Sequence, residues 1–316
     1  AGETMGTTWH VSIAQKLDAP AQAALQQRID SALEAVNDSM STYREQSELM
    51  RYNHNPATTP QPVSDGLRRV IGKALEISVQ SDGVYDITVG PLVNLWGFGP
   101  IKRQDKPADS EIAEALQHVG YGKLQLTDAG LAKSDPQVFI DLSSIAKGYG
   151  VDVVAETLLD AGYTNFIVEI GGEVRASGSK YGAPWRVGIE RPEQGLATGE
   201  GVENIIAMNE KLPAMATSGN YRQYAERGGE MAYHIVDPRD GRSHSSRLLS
   251  ATVLAPDCMT ADGYATALMV LGDEKALEFA DRYGLAAELI LAGDDKQPFI
   301  IERSRAFRAA VQEEKP

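Results

Sequence analysis

In TADGYATAL (260–268), an aspartate and a threonine stand four residues apart in a stretch of helical composition. On a helix, residues i and i+4 share a face, with about 6 Å between their β-carbons. Asp262 and Thr266 could therefore aim a carboxylate and a hydroxyl at one hard cation, which prefers oxygen ligands. A plainer reading also fits. If the helix begins near Ala261, Asp262 lies in its first turn, where the helix dipole and free N–H groups favour an acid.

A second constellation is DLSSIAKGYGVD (141–152), in which Asp141 ends an apolar run and Lys147 sits at a strand-to-helix junction. Ser143, Ser144, Ala146, Gly148 and Gly150 bracket the lysine, and small residues let backbone amides approach phosphate oxygens. A tight turn with a solvated lysine accounts for the pattern equally well. EIGGEVRASG (169–178) places Gly171 and Gly172 between two apolar strand halves, which reads as a bulge or a close backbone approach. Glu169 and Glu173 read there as polar-face residues. ATSGNYR (216–222) and YHIVDPRDG (233–241) complete the polar clusters, and turn chemistry explains most of the second.

The elements that must position these groups are legible in the hydrophobic periodicity. TTWHVSI alternates as a strand. Leu25, Ile29, Leu33, Val36 and Met40 predict a helix over 21–40, and Leu67, Val70, Ile71, Leu75 and Val79 another over 65–80. VFIDLS (138–143) reads as a short strand, and the residues after it as a helix ending at Gly162. Paired strands are expected in NFIVEIGGEVRASG, WRVGIE, 203–209, 213–218, 231–236 and 251–255. Helices at 261–271 and 274–283 and a strand near 287–292 follow. Many strands flanked by helices, without a βαβ rhythm, indicate an α+β fold.

Composition narrows the function. The 316 residues carry a formal charge of −14, and no run of four basic residues occurs. A nucleic-acid binder normally needs a basic track, so nucleic acid is not an expected partner. Cys258 is alone, which excludes an internal disulfide and a cysteine metal cluster. The nucleophile elbow, H-E-x-x-H and the Walker loop are absent, and GYGVDV lacks the third glycine of the dinucleotide fingerprint.

Taken in order, MGTTWHV, STYREQSELMRYN, YDITVGPLVNLWGFGP, DLSSIAKGYGVD, EIGGEVRASG, ATSGNYR, YHIVDPRDG and ADGYATAL closely resemble the ApbE family of FAD:protein FMN transferases, over about residues 5 to 295. The resemblance implies an ApbE-like, T-fold-related architecture of antiparallel sheets flanked by helices. The whole chain, 1–316, would be one flavin transferase domain, or two closely packed α+β lobes with the FAD cleft between them. It implies that FAD is a substrate, split at its pyrophosphate. FMN passes to a threonine hydroxyl of an acceptor protein, AMP leaves, and magnesium is required. Acceptors would be subunits of membrane electron-transfer complexes carrying a motif like D-G-x-[ST]-[GAS]-[ST]. Family members are usually periplasmic lipoproteins, so the resemblance places the protein in the periplasm, held at a bacterial membrane by an N-terminal lipid absent from this chain.

Carried over by position, Asp262 and Thr266 match the family's metal-binding side chains, and the main-chain oxygen of Ala146 matches a third ligand. Asp262 and Lys147 take the catalytic roles, Asp262 as ligand or as base for the incoming threonine. FAD contacts fall to Met5, Tyr43, Tyr85, Asp86, Asp141 and Lys147, and to His234 and Ile235. Gly171, Gly172, Thr217 and Ser218 are expected along the same cleft. Two rival readings keep the same site: an FAD pyrophosphatase releasing FMN and AMP, and a periplasmic flavin-binding protein without turnover.

Overall fold

The computed structural model describes residues 1–100, 102–192, 201–219, 224–227, 230–233, 235–244, 246–294 and 296–311; the side chains of 203, 224–227 and 230–233 are excepted. The chain opens with β1 (Gly2–Thr4), β2 (Thr7–Ile13) and the helices α1 (Ala19–Met40), α2 (Glu48–His54), α3 (Asp65–Gln80), α4 (Gly90–Leu95) and α5 (Asp109–Leu116). The hairpin β3 (Leu124–Thr127) and β4 (Gly130–Lys133) comes next, then α6 (Ala146–Asp160), β5 (Phe166–Ile170), β6 (Glu173–Ser177) and β7 (Arg186–Glu190). The remainder is β8 (Val202–Ala207), β9 (Ala214–Gly219), β10 (Tyr224–Arg227), β11 (Glu230–Tyr233), β12 (Leu248–Ala255), α7 (Cys258–Tyr283), β13 (Ala286–Ala292), β14 (Phe299–Arg303) and α8 (Arg305–Ala310).

The chain forms two compact units. The first holds Ala1–Ala35, Lys147–Tyr221 and Ser246–Pro316; the second holds Val36–Ala146 and Arg222–Ser245. Among the described residues, the first unit is organised on an eight-stranded sheet in the order β1-β2-β5-β6-β9-β12-β13-β14, and the pairings are antiparallel. Side chains alternate between its faces with period two. Phe166, Val168 and Ile170 pack with Leu25, Ile29 and Leu33 of α1 and with Val151, Val154 and Leu158 of α6. On the other face Met215, Leu254 and Ile290 meet Ile189, Ile206 and Trp185 of the β7–β8 region and Phe307 of α8. Each such fully buried side chain contributes about 1.5–3 kcal/mol. In the second unit Leu92, Trp96, Ile112 and Val236 form their own cluster.

Two sequence expectations change in the fold. VFIDLS is not a strand. The Asn53 side chain takes the place of a strand partner, donating to Ile140 O at 2.9 Å and accepting from Ile140 N at 2.8 Å. Gly171-Gly172 is not a bulge but the two-residue turn of the β5–β6 hairpin, with Ile170 opposite Glu173. Both glycines have positive φ, 59° and 104°, the backbone that tight hairpin turns demand. The two helices expected at 261–271 and 274–283 are both present: α7 is broken between them at Gly272 (φ 72°), whose backbone is not helical. Ser246 Oγ accepts from Asp273 N and donates to Asp273 Oδ1, which restarts the helix after the kink.

The start of α7 is held from α6. Asp152 is fully buried and accepts from Cys258 N and Met259 N, both at 2.9 Å, and from Arg175 Nη1 at 2.7 Å. Asp257 supplies the local cap, its Oδ1 accepting from Thr260 N at 2.8 Å. Asp152→Ala would leave a half-buried guanidinium and two helix N–H groups without their acceptor. The expected cost is about 3–5 kcal/mol of stability, read from urea unfolding at pH 7. A loss under about 1 kcal/mol would show that Asp257 alone starts the helix.

Candidate metal and phosphate site

The site in the first unit is built on α7 and the first turn of α6. Helix α7 lies on β9 and β12, and its buried Ala261, Gly263, Ala265 and Ala267 are small enough for close approach. Because α7 starts at Cys258, Asp262 stands in the second turn. The first-turn reading of Asp262 is therefore overturned: Asp257 and Asp152 already satisfy those N–H groups. Asp262 is 2 % exposed, and its Oδ2 accepts from Gly148 N at 2.9 Å. A Cβ at Gly148 would collide with the Cys258 carbonyl and come within 2.8 Å of the Asp262 Cβ. Glycine is what lets the two helices approach here.

Thr266 is half-buried one turn further along, its Oγ1 3.2 Å from Ser218 Oγ. Lys147 Nζ donates to Glu173 Oε1 at 2.6 Å; the lysine side chain is 32 % exposed and that of the glutamate 3 %. The charges are strongly coupled. Burial pushes the Asp262 carboxyl up, and Lys147 and the Gly148 N–H offset only part of that. Glu173 is pushed up to about 7, by burial first and then by Asp262, against the pull of Lys147. Desolvation works against the Lys147 ammonium, but Asp262 and then Glu173 outweigh it and raise its pKa. Burial also pushes the Cys258 thiol well up, so this cysteine is not a reactive thiolate.

The first unit thus brings together Asp262, Thr266, Lys147 and Ser218. Met5, in the turn between β1 and β2 (φ 50°), lies close to Gly150 of α6: its Cε would be 2.9 Å from a Cβ there. Gly171 and Gly172 form the hairpin turn, with Gly171 N donating to Thr8 O and Gly172 N to Glu169 Oε1. Thr217 departs from the group. Strand alternation turns it to the sheet face opposite Ser218, where its Oγ1 meets Thr252 Oγ1 at 2.8 Å. Glu173 was read as a polar-face residue and is instead buried beside Lys147. Its position directly after the turning glycine pair was the available signal.

The remaining expected residues belong to the second unit. Tyr85 is buried, with Oη 2.9 Å from Ser144 Oγ. Asp86 accepts from Thr88 N, Thr88 Oγ1 and Tyr121 N at 2.6–2.8 Å, so both of its oxygens are engaged by the protein. Asp141 Oδ1 accepts from Ser143 N at 2.7 Å. Tyr43 is exposed, Ile235 is half-buried, and Ala146 is the first residue of α6. His234 and residues 220–222 of ATSGNYR lie outside the described residues. Asp237, Asp240 and His244 have ligand atoms within 4.8 Å of one another. The Arg239 guanidinium already holds both Asp237 oxygens, at 2.9 and 2.6 Å, which answers that charge without a cation.

The donor set of the first unit suits a hard cation. It offers a buried carboxylate and a hydroxyl on one helix face, with a lysine alongside for phosphate charge. An α+β unit that buries these groups under glycine-rich turns fits a protein handling a phosphorylated ligand. Solved structures with the same fold are flavin transferases. The ApbE flavin transferase from Vibrio cholerae is 42% identical, with a TM-score of 0.86 over 98% of this chain and 97% of that one. The apo flavinyl transferase ApbE of Pseudomonas stutzeri is 35% identical, with a TM-score of 0.87 over 98% and 95%. The FAD:protein FMN transferase of Haemophilus influenzae is 44% identical over 99% of this chain and 91% of its own length. The ApbE family model matches residues 5–289. The chain belongs to the ApbE family.

Two substitutions test the geometry. Gly148→Ala should part α6 from α7, lower the melting temperature and remove any stabilisation by magnesium. Asp262→Asn should leave the metal-free protein as stable or more so. A carboxylate whose pKa is raised on folding costs stability as pH rises from the unfolded to the folded value, and neutralising it removes that cost. The same change should abolish any magnesium-induced rise in melting temperature, and in the unsubstituted protein such a rise should fade as pH falls and the Asp262 carboxyl protonates. A magnesium response that survives Asp262→Asn would place the metal elsewhere.

Proposed function

We propose that the protein transfers FMN from FAD to a threonine hydroxyl of an acceptor protein and releases AMP. The observation that carries this reading is the pairing of Asp262 and Thr266 on one face of α7 beside Lys147, in a chain whose family match spans residues 5–289. Its relatives in Haemophilus influenzae and Vibrio cholerae bear the name FAD:protein FMN transferase.

In this reading Asp262 and Thr266, with the main-chain oxygen of Ala146, hold magnesium. Bound there, magnesium supplies Lewis-acid stabilisation of the charge that develops on the pyrophosphate and on departing AMP. The chain's own groups do the rest. Lys147 neutralises phosphate charge, which otherwise repels an incoming hydroxyl oxygen. Gly148 N–H fixes the Asp262 carboxylate. Burial of Asp262 and Glu173 keeps the neighbourhood dry, where charge interactions are stronger than in water. The threonine oxygen bonds to the FMN phosphorus as the bridging P–O bond breaks, AMP leaves with the bridging oxygen, and the hydroxyl proton is released. Met5, Tyr43, Tyr85, Asp141, His234 and Ile235 are proposed FAD contacts. Asp86 is proposed as a support for the Tyr85 stretch, since its oxygens are spent on protein donors.

Acceptors are proposed to be subunits of membrane electron-transfer complexes that present the D-G-x-[ST]-[GAS]-[ST] pattern. The protein is proposed to work in the periplasm, held at the membrane by a lipid. Among the described residues no helix is long and apolar enough to cross a membrane. One reaction distinguishes this reading from its rivals. The protein is incubated with FAD and magnesium, with and without an acceptor domain, and followed by mass spectrometry and by chromatography of FMN and AMP. Covalent FMN on the acceptor threonine with matching AMP is the expected result. Free FMN and AMP in both samples would identify a pyrophosphatase, and bound FAD without products a carrier.

A further inference from the structure

Glu173 is a buried acid at a sheet position where its neighbours Val174 and Ala176 are buried and apolar. It is 2 % exposed, its Oε1 receives the Lys147 ammonium at 2.6 Å, and its Oε2 has no hydrogen-bond partner among the described residues. An acid so placed is costly to desolvate, and a single ammonium contact does not satisfy it. Its direction is set firmly, because the Gly171-Gly172 turn holds the start of β6 in register with Ile170. Lys147, by contrast, ends in a flexible four-carbon stem with three rotatable donors. It stands in the first turn of α6, next to Gly148 and its bond to Asp262.

We infer that Glu173 is a positioning residue for the proposed transfer reaction: it clamps the Lys147 ammonium in place before the pyrophosphate arrives. The inference rests on the functional reading above and extends it to a residue that touches no reacting atom. A lysine fixed in advance loses less rotational freedom when it meets phosphate, and its charge is already where the transition state needs it. The clamp occupies one N–H and leaves two for the ligand. Being an anion, Glu173 opposes the binding of another anion. Its contribution should therefore appear in turnover and not in affinity.

That separation makes the test. In Glu173→Gln, kcat should fall about tenfold or more while the FAD dissociation constant, from flavin fluorescence, stays within about twofold or tightens. In a Lys147→Met background the same change should alter kcat by less than about twofold, since the group it acts through is gone. A purely structural role would lower the melting temperature and weaken FAD binding together. Retained kcat in Glu173→Gln, or losses that multiply in the double variant, would overturn the inference. Should the Gln variant fail to fold, Glu173→Asp enters the same cycle with the same criteria. If the unsubstituted protein neither transfers FMN nor hydrolyses FAD, the functional reading fails by itself. A crystal structure of the Glu173 variant then decides the clamp: a displaced Lys147 ammonium supports it, and an unmoved one overturns it.

Discussion

Two carboxylates cannot stay ionised out of water near one another without a cation, and Lys147 is the cation beside Asp262 and Glu173. Much of the first unit follows from that constraint. The ammonium must reach both acids from the first turn of α6, so α6 must lie against α7. It can do so because residue 148 has no side chain and α7 presents alanine and glycine around Asp262. With both acids ionised the group carries one more negative than positive charge, and burial, which raises both carboxyl pKa values, makes that surplus costly. A divalent cation would relieve that surplus, which is a physical reason for the proposed metal that does not depend on family membership.

The support beneath the site is also electrostatic. Asp152 fixes where α7 begins, and a helix that began one residue later would rotate Asp262 and Thr266 by about 100°. Arg175 answers the Asp152 charge from β6, the strand that begins with Glu173. The two buried acids near the helix junction thus serve different ends. Asp152 is fully provided with donors and holds structure, whereas one Glu173 oxygen has no hydrogen-bond partner among the described residues. That contrast separates a charge spent on holding a helix start from one held against the Lys147 ammonium.

Much of this was legible in the residues alone. The helices over 21–40 and 65–80 emerge at Ala19–Met40 and Asp65–Gln80, because local apolar periodicity and tertiary burial agree there. The i, i+4 spacing of Asp262 and Thr266 placed both on one face of a helix, whatever the helix packed against. The order and spacing of the glycine-rich stretches were enough to resemble the family. Where local pattern and tertiary partner diverged, the reading failed. VFIDLS had strand composition, but the Asn53 side chain offered a better partner than any strand.

The sequence by itself determined most of the helical and strand segments and the oxygen-bearing pair on α7, because each depends on residues a few positions apart. Tertiary structure alone decided where α7 begins and so that Asp262 lies beyond its first turn, which of Thr217 and Ser218 met Thr266, and that Glu173 was buried. Helix starts depend on a distant Asp152, and the buried face of a strand depends on what covers it. Burial then converts an ordinary surface-type residue into a strongly shifted one, since desolvation acts only on what the whole fold encloses.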